Sequence, residues 1–376
     1  MNSFMSFLFD TRGCTGLRLA VRILRSRLRL FLLLIIAVFA AALSGCREPK
    51  EEPVSVPGNN ITVGYVKIGS ESDWRIACNR SLDEAFSADN GYYLLVNDAQ
   101  QKPEKQVKAM REFISLGVDY ILLDPIMESG WDASLSEARE AGIPVIVFDR
   151  EVDVKEPGAY TAWIGSDFRL EGDRACAWLS AFLEKQKYDQ PLNILHLQGT
   201  IGSSAQIGRT AALMDAIDDH PDWNLIDQQP GEFTTAKGKE IMAQMLDKYG
   251  SRIQVVYCEN DNMAYGAIEA IHEAGMTPGT DIKNGEILIL SFDAARSAME
   301  RTLRGEIAVD TECMPLYGPR LVQMIDQLEK GETLQFRNYV PEEQFSAVDG
   351  LTSVEAAGEE YPVTLVTKEL IGGREY

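Results

Sequence analysis

The chain has 376 residues, 45% of them apolar, and these values fit a globular protein of two domains or more. Acidic residues outnumber basic ones by 57 to 36, which gives a net charge of −21 at pH 7. A charge of this sign argues against nucleic acid and against anionic lipid as binding partners.

The N-terminus combines a basic segment with a short apolar run. Five arginines between residues 18 and 29 precede the 14 apolar residues Leu30–Leu43. This run is shorter than the ~20 residues of a transmembrane helix but fits the core of a signal peptide. The sequence "LSGC" follows and resembles the lipobox of bacterial lipoproteins, which implies cleavage before Cys46 and lipidation of its sulfur. An uncleaved anchor with an incidental cysteine is the alternative, and both place the rest of the chain outside the cytoplasmic membrane.

Removal of residues 1–45 leaves 30 basic and 56 acidic residues, a net charge of −26. Residues 46–60 are rich in Pro, Glu, Gly and Asn and read as a tether. The remaining cysteines form no CxxC pair, so we expect buried thiols, with one chance disulfide left open: Cys78, Cys176, Cys258 and Cys313. The three histidines lack ligand spacing, and we expect no metal site and no cofactor.

From residue 61, apolar runs of strand length alternate with helical stretches. Strands are predicted at 61–68, 92–97, 120–124 and 144–148, and helices at 74–88, 103–116 and 132–141. The alternation then repeats. Further strands are predicted at 192–198, 223–227, 253–258, 286–292 and 307–313, and further helices at 168–184, 203–218, 235–248, 261–274, 295–304 and 316–330. Continuous apolar strands between helices predict an α/β fold with parallel sheets covered on both faces, in two similar halves.

Polar side chains collect where the predicted strands end. In open parallel sheets the ligand binds at the carboxyl ends of the strands, so these positions are site candidates. They lie in both halves, as a cleft between two lobes requires: residues 69–75, Asp98, Asp124, Asp149, Arg150, residues 198–204, residues 258–261, Asp293 and Glu312.

Several of these positions have two interpretations. The loop "GSESDWR" is either an N-capped helix start with Trp74 in the core or a ligand loop. Asp149–Arg150 is either a surface pair or a cleft pair that binds hydroxyl groups. Asn260 and Asp293 could each cap a helix. The glycine-rich turn Gly199–Gln206 could hold an anion, but a tight turn is favoured.

No motif indicates catalysis. The chain lacks a dinucleotide fingerprint, a Walker loop and a G-x-S-x-G nucleophile elbow. Carboxylates are present, but no nucleophile, metal set or cofactor loop accompanies them, so we expect no enzymatic activity.

The chain from about 61 to 340 resembles the type 1 periplasmic sugar-binding proteins, the ribose-binding-protein-like family. The segments that bear the resemblance occur in the family's order: "GSESDWR", "GVDYILLDP", "GIPVIVFDR", "LQGTIGSSAQIGR", "CENDNMAYGAIEAI" and "SFDAARSAM". Within the family, the opening loop is most similar to the galactofuranose-binding members of ABC importers. The resemblance implies two doubly wound lobes joined by a hinge, with a monosaccharide bound in the cleft.

The resemblance also implies which residues contact the sugar. They are Glu71, Ser72, Asp73, Trp74 and Arg75 in the first loop, Asp149, Arg150, Arg209, Asn260, Asp293 and, at the last hinge crossing, Glu312. Two positions depart from the galactofuranose binders, which have glycine at Asp73 and histidine at Glu259. The chain after Val340 is unfamiliar.

The implied domains are a signal peptide 1–45, a tether 46–60, and two lobes. The N-terminal lobe is expected to comprise 61–162 and about 313–340, and the C-terminal lobe 163–312 and about 341–376. The expected protein is a monomer, lipid-anchored through Cys46 on the outer face of the cell membrane, that delivers a monosaccharide such as galactofuranose to an ABC permease. A sugar-sensing co-receptor for a membrane sensor kinase is the alternative.

Overall fold

The computed structural model describes residues 60–376. The predicted signal peptide, Cys46 and nearly all of the predicted tether lie outside the described residues. Within residues 60–376, no helix is both long enough and apolar enough to span a bilayer.

The described chain alternates between strands and helices over most of its length, as the sequence predicts. The strands are β1 (Ile61–Lys67), β2 (Tyr92–Asp98), β3 (Tyr120–Leu123), β4 (Val145–Phe148), β5 (Ala162–Gly165), β6 (Leu192–Gln198), β7 (Trp223–Pro230), β8 (Val255–Cys258), β9 (Leu288–Asp293), β10 (Val309–Glu312), β11 (Arg337–Tyr339), β12 (Gln344–Ser346), β13 (Ser353–Ala356), β14 (Glu359–Pro362) and β15 (Thr364–Leu365). The α-helices are α1 (Asp73–Ala85), α2 (Pro103–Leu116), α3 (Asp132–Glu140), α4 (Phe168–Gln186), α5 (Ser204–Asp219), α6 (Thr235–Tyr249), α7 (Asp261–Glu273), α8 (Arg296–Leu303), α9 (Gly318–Glu329) and α10 (Lys368–Gly373).

Two sheets organise these elements. The first has six strands in the order β11-β5-β4-β3-β1-β2, all paired in parallel. The second has seven strands in the order β15-β12-β10-β9-β8-β6-β7, in which β12 runs antiparallel to β10. Strands β13 and β14 form a separate hairpin. The predicted fold class, α/β with parallel-sheet lobes, is confirmed.

The central strands show why this fold forms. The sequences "YILL" in β3 and "VIVF" in β4 are buried at every position, as strands covered by helices on both faces must be. The edge strand β2 is only partly buried. The cysteines of the described chain are buried free thiols, as expected: Cys78, Cys176, Cys258 and Cys313.

The chain crosses between the two sheets three times. The crossings follow β5 at Ser166, β10 at Cys313 and β11 at residues 340–343. Strand β5 extends the first sheet to Gly165, three residues beyond 162. The lobe boundaries given above, 61–162 with 313–340 and 163–312 with 341–376, stay a prediction.

The sequence did not predict β5, β11, or the strands and helix after residue 340. Strand β5 is the four-residue segment "AWIG", and β11 has three residues. Segments this short contain too few residues for a recognisable alternation. Strand β11 joins the first sheet by pairing with β5, which lies far earlier in the chain, and a local pattern does not register such a pairing.

The end of the chain packs against the second lobe beside the second crossing. We call residues 368–376 the C-terminal tail. The Oε1 atom of Glu312 lies 2.7 Å from Nη2 of Arg374 and accepts a hydrogen bond from Oη of Tyr376 at 2.6 Å. Nε of Arg374 also donates to the carbonyl oxygen of Ala294 at 2.9 Å. Arg374 therefore joins the tail to both β10 and the segment that follows β9.

We expect Arg374→Ala to lower the free energy of unfolding by about 2 kcal/mol, because hydrogen bonds to charged groups contribute about 1.5–3 kcal/mol each. Urea denaturation would measure the change. Arg304→Ala is the matched control, since Arg304 pairs with Glu306 at the surface, where an ion pair contributes less than about 1 kcal/mol. Equal losses in the two variants would contradict the assigned role of Arg374.

Candidate functional site

A cavity lies between the two sheets, at the carboxyl ends of their strands. The space between its lining atoms is about 310 Å³, a volume that includes its opening to solvent. We call it the inner cavity. It is lined by Glu71, Ser72, Trp74, Arg75, Asp149, Arg150, Phe168, Ala205, Arg209, Phe233, Asn260, Asp293 and Cys313. The predicted binding residues all lie on its wall except Asp73 and Glu312.

On the first lobe's side of the cavity, Arg75 makes most of the charged contacts. Its backbone N–H donates to Ser72 Oγ at 3.1 Å, which caps helix α1 and fixes the start of the helix. Its guanidinium contacts three carboxylates: Nη2 lies 2.9 Å from Asp149 Oδ2, Nε lies 3.3 Å from Glu71 Oε1, and Nη1 bonds Asp124. Burial alone would lower the pKa of Arg75, but the three carboxylates raise it well above its ordinary value. Arg75 therefore stays charged inside the protein.

Trp74 satisfies both interpretations of its loop. The side chain is buried in the core, where its ring packs edge-on against Tyr317 with 6.2 Å between the ring centroids. Trp74 also lines the inner cavity. Nε1 donates to the carbonyl oxygen of Cys313 at 2.7 Å. The guanidinium of Arg75 lies 4.5 Å from the ring centroid. The ring is thus fixed at its polar end and presents an apolar surface to the cavity.

Asp149 and Arg150 are not a surface pair, because their exposed fractions are 3% and 4%, and both line the inner cavity. Asp149 has a φ of 60°, a strained conformation for a residue that is not glycine. Arg150 Nη1 donates to the carbonyl oxygen of Ile126 at 3.2 Å, and its guanidinium lies 5.1 Å from the ring centroid of Phe233. Burial, and then the charge of Arg75, lowers the pKa of Arg150.

The second lobe contributes Arg209, Asn260 and Asp293. Arg209 Nε lies 2.7 Å from Glu171 Oε2, and Nη1 bonds the carbonyl oxygen of Glu259. Its Nη2 lies 3.7 Å from Asp293 Oδ1 and has no hydrogen-bond partner among the described residues. Asn260 caps helix α7 and also lines the cavity, so its two interpretations are compatible.

Asp293 faces the cavity from a strained turn and does not cap α8, whose N-cap is Ala295. Its φ is 105°, and that of Ala294 is 53°. Two buried carboxylates hold the turn. Asp310 Oδ1 accepts from the N–H of Ala294 at 3.1 Å, and Asp261 Oδ2 accepts from the N–H of Ala295 at 2.9 Å. The backbone strain is thus balanced by bonds that fix the direction of Asp293.

Two predicted residues lie outside the cavity. The backbone N–H of Asp73 donates to Asn262 Oδ1 at 3.0 Å, and Asp73 Oδ2 accepts from Ser297 at 3.2 Å, so Asp73 joins the lobes. Glu312 is covered by the C-terminal tail, whose contacts with it are described above. Its second carboxylate oxygen accepts from the N–H of Glu343 at 2.8 Å.

The sequence did not point to the lining residues Phe168, Phe233 and Cys313, and it marked Ala205 only as part of the Gly199–Gln206 turn. None of them is a polar residue at a strand end, which was the signal used to collect candidates. Phe233 explains the glycine-rich turn, because a Cβ atom at Gly199 would lie 1.9 Å from Phe233 Cζ. The N–H of Gly199 already donates to Glu259 Oε2 at 2.6 Å, so the tight-turn interpretation holds there.

The wall of the cavity suits a small, hydroxyl-rich ring. Three arginines provide donors, and Glu71, Asp149 and Asp293 provide acceptors. The aromatic rings of Trp74, Phe168 and Phe233 provide apolar surface for the carbon faces of such a ring.

The buried pair beneath Asp293 predicts a pH-dependent stability. Burial, and then the charge of Asp293, raises the pKa of Asp310 to about 7, and burial raises that of Asp261 well above its ordinary value. Between about pH 4 and pH 7, Asp310 holds a proton in the folded state that it releases on unfolding. Raising the pH through this window therefore lowers the free energy of unfolding.

We expect Asp310→Asn to reduce this slope, because the amide does not titrate. Urea denaturation at several pH values between 4 and 8 would measure it, with the exposed Asp83→Asn as the control. Identical slopes in the wild type and Asp310→Asn would show that Asp310 does not titrate in this range.

The chain matches a family model described as a periplasmic binding protein domain over residues 63–333. The galactofuranose-binding protein YtfQ of Escherichia coli is 37% identical over 301 residues, which are 79% of this chain and 87% of that protein. The fructose import binding protein FruE of Bifidobacterium longum is 29% identical over 279 residues, 73% of this chain and 81% of that protein.

Solved structures of similar proteins support the same family. A protein from Mycobacterium smegmatis in complex with β-D-fucofuranose is 37% identical, with a TM-score of 0.71, and the match covers 76% of this chain and 91% of that one. The binding protein of the arabinose ABC transporter from Shewanella sp. ANA-3, bound to L-arabinofuranose, is 37% identical with a TM-score of 0.69 and the same coverage. The chain therefore belongs to the periplasmic binding protein family, and it is a ligand-binding protein rather than an enzyme.

Proposed function

We propose that this protein captures a monosaccharide in its furanose form by closure of its two lobes and delivers it to an ABC permease. The observation that supports this most directly is the wall of the inner cavity, which contains three arginines, three carboxylates and three aromatic rings. The unbonded Nη2 of Arg209 is a donor available to a ligand oxygen. A furanose offers hydroxyl groups on its rim and apolar carbon faces.

The relatives support the furanose ring form. Galactofuranose, fucofuranose and arabinofuranose are the ligands given for the proteins from E. coli, M. smegmatis and Shewanella. These sugars share a five-membered ring and differ in the groups attached to it. We infer that the inner cavity of this chain recognises the ring, with galactofuranose or a related sugar as the ligand.

The described conformation is closed. The N–H of Glu128 in the first lobe donates to the carbonyl oxygen of Gly202 in the second at 3.0 Å. The N–H of Glu151 donates to Ser204 Oγ at 2.9 Å. These bonds are lost if the lobes separate, so a sugar that contacts both lobes favours the closed form by its differential affinity. We propose that the closed form is the one a permease recognises, with the binding protein acting as a monomer.

Isothermal titration calorimetry would test the sugar. We expect saturable binding of D-galactose or L-arabinose, and much weaker binding of D-glucose, which is almost entirely pyranose in water. Asp149→Asn should weaken binding about 30-fold or more, because loss of a charged partner in a buried pair costs about 2–5 kcal/mol and 1.4 kcal/mol corresponds to tenfold.

Asp83→Asn replaces an exposed aspartate on α1 and should leave the affinity unchanged. Unchanged affinity in a folded Asp149→Asn variant, with its melting temperature measured in parallel, would contradict the assignment of the site.

We further propose that the protein is exported and lipid-anchored through Cys46. Support comes from the order of the basic segment, the apolar run and "LSGC", and from the tether that separates Cys46 from β1. Mass spectrometry of protein from membranes should find an N-terminal Cys46 with attached acyl chains. In Cys46→Ser the protein should remain uncleaved and unlipidated. An unmodified Cys46 in the native protein would contradict the anchor.

A further inference from the structure

A second cavity lies beside the inner cavity and also faces both lobes. The space between its lining atoms is about 820 Å³, a volume that includes its opening to solvent, and we call it the outer chamber. Glu71 and Arg150 line both spaces. The other lining residues lie at the end of strand β7 or follow strands β1, β2, β3, β6 and β7: Ile68, Gln101, Ile126, Thr200, Ile201, Pro230 and Glu232. The chamber therefore extends the ligand cleft towards the edge strands β2 and β7.

The outer chamber remains although the lobes are closed beside it. The contact between Glu128 and Gly202 lies within two residues of the lining residues Ile126 and Ile201. The lobes thus touch beside the chamber, which itself opens to solvent. A protein that encloses a single ring has no need of this additional space.

Glu71, which lines both the inner cavity and the outer chamber, has one buried carboxylate oxygen without a hydrogen-bond partner among the described residues. Its side chain is 4% exposed and pairs with Arg75 through Oε1. Its Oε2 has no hydrogen-bond partner among residues 60–376. This oxygen and Cγ of Gln101 both lie close to Gly69, because a Cβ atom at that glycine would be 3.2 Å from the first and 3.4 Å from the second. Gln101 lines the outer chamber but not the inner cavity. Because a buried unpaired carboxylate oxygen is costly, this atom favours a ligand hydroxyl.

The rest of the wall has the two kinds of surface that a sugar ring needs. Ile201 is 51% exposed, and together with Ile68, Ile126 and Pro230 it provides apolar contact area. Gln101 and Glu232 provide polar groups from opposite lobes, and both have a left-handed backbone, with φ of 59° and 53°. Strained backbone of this kind clusters at ligand sites.

We propose that the outer chamber is a subsite for a second sugar ring, so that the protein binds furanose-containing disaccharides as well as monosaccharides. This inference rests on the proposed function, which places the first ring in the inner cavity. The second ring then packs an apolar face on Ile201, and one of its hydroxyl groups donates a hydrogen bond to Oε2 of Glu71.

Calorimetric titration with L-arabinose and with arabinobiose, the disaccharide of two L-arabinofuranose units, tests the subsite. We expect arabinobiose to bind at least as tightly as arabinose. Ile201→Asp should weaken arabinobiose at least tenfold, because it removes apolar contact area and adds a charge. It should change the affinity for arabinose less than twofold, because Ile201 does not line the inner cavity.

Ile207→Asp is the matched control, since Ile207 is a 43% exposed isoleucine on α5 that does not line the chamber. It should leave both affinities unchanged. Binding of arabinose without arabinobiose, or an unchanged arabinobiose affinity in Ile201→Asp, would overturn the subsite and leave the proposed function intact. If neither sugar binds, while galactose and the other furanose-forming monosaccharides also fail, the proposed function falls and the subsite with it.

Discussion

The site depends on one buried cation. Arg75 lies among Glu71, Asp124 and Asp149, which follow the strands β1, β3 and β4. A buried charge is tolerated only when it is paired, and removal of one partner costs about 3–5 kcal/mol. The guanidinium therefore fixes the relative positions of three strand ends. Since it also stacks on Trp74, the same residue sets the shape of the cavity wall.

The second lobe repeats this arrangement around Arg209. This arginine pairs with Glu171 beneath the cavity and approaches Asp293 within 3.7 Å. Each lobe thus presents an arginine held from behind by carboxylates, and each positions a cavity-facing aspartate with a positive φ, Asp149 or Asp293. The backbone strain at these aspartates and the fixed charges are already present before a ligand binds. They therefore reduce the reorganisation that ligand binding would otherwise require.

Much of this arrangement could be predicted from the sequence, because parallel sheets bring the carboxyl ends of their strands together. That rule collected Asp149, Arg150, Asn260 and Asp293, and it marked Asp124 without revealing that it partners Arg75. This rule did not find Phe168 and Phe233, because no local sequence pattern distinguishes a phenylalanine that lines a cavity from one in the core. Glu312 also ends a strand, but a tail more than fifty residues later in the chain covers it, and such a contact leaves no local pattern.

At the second crossing between the lobes, two adjacent residues are bound to different lobes. Glu312 is bound to the second lobe through Arg374 and Tyr376, and the carbonyl of Cys313 is bound to the first lobe through Trp74. The peptide unit between them is planar and does not twist. The rotatable backbone bonds between the Glu312 side chain and the Cys313 carbonyl oxygen are the ψ torsion of Glu312 and the φ and ψ torsions of Cys313. A rotation of one lobe against the other at this crossing would therefore change these three torsions. In the lobe closure proposed above, Trp74 would hold the first-lobe side of this crossing through its hydrogen bond to the Cys313 carbonyl oxygen.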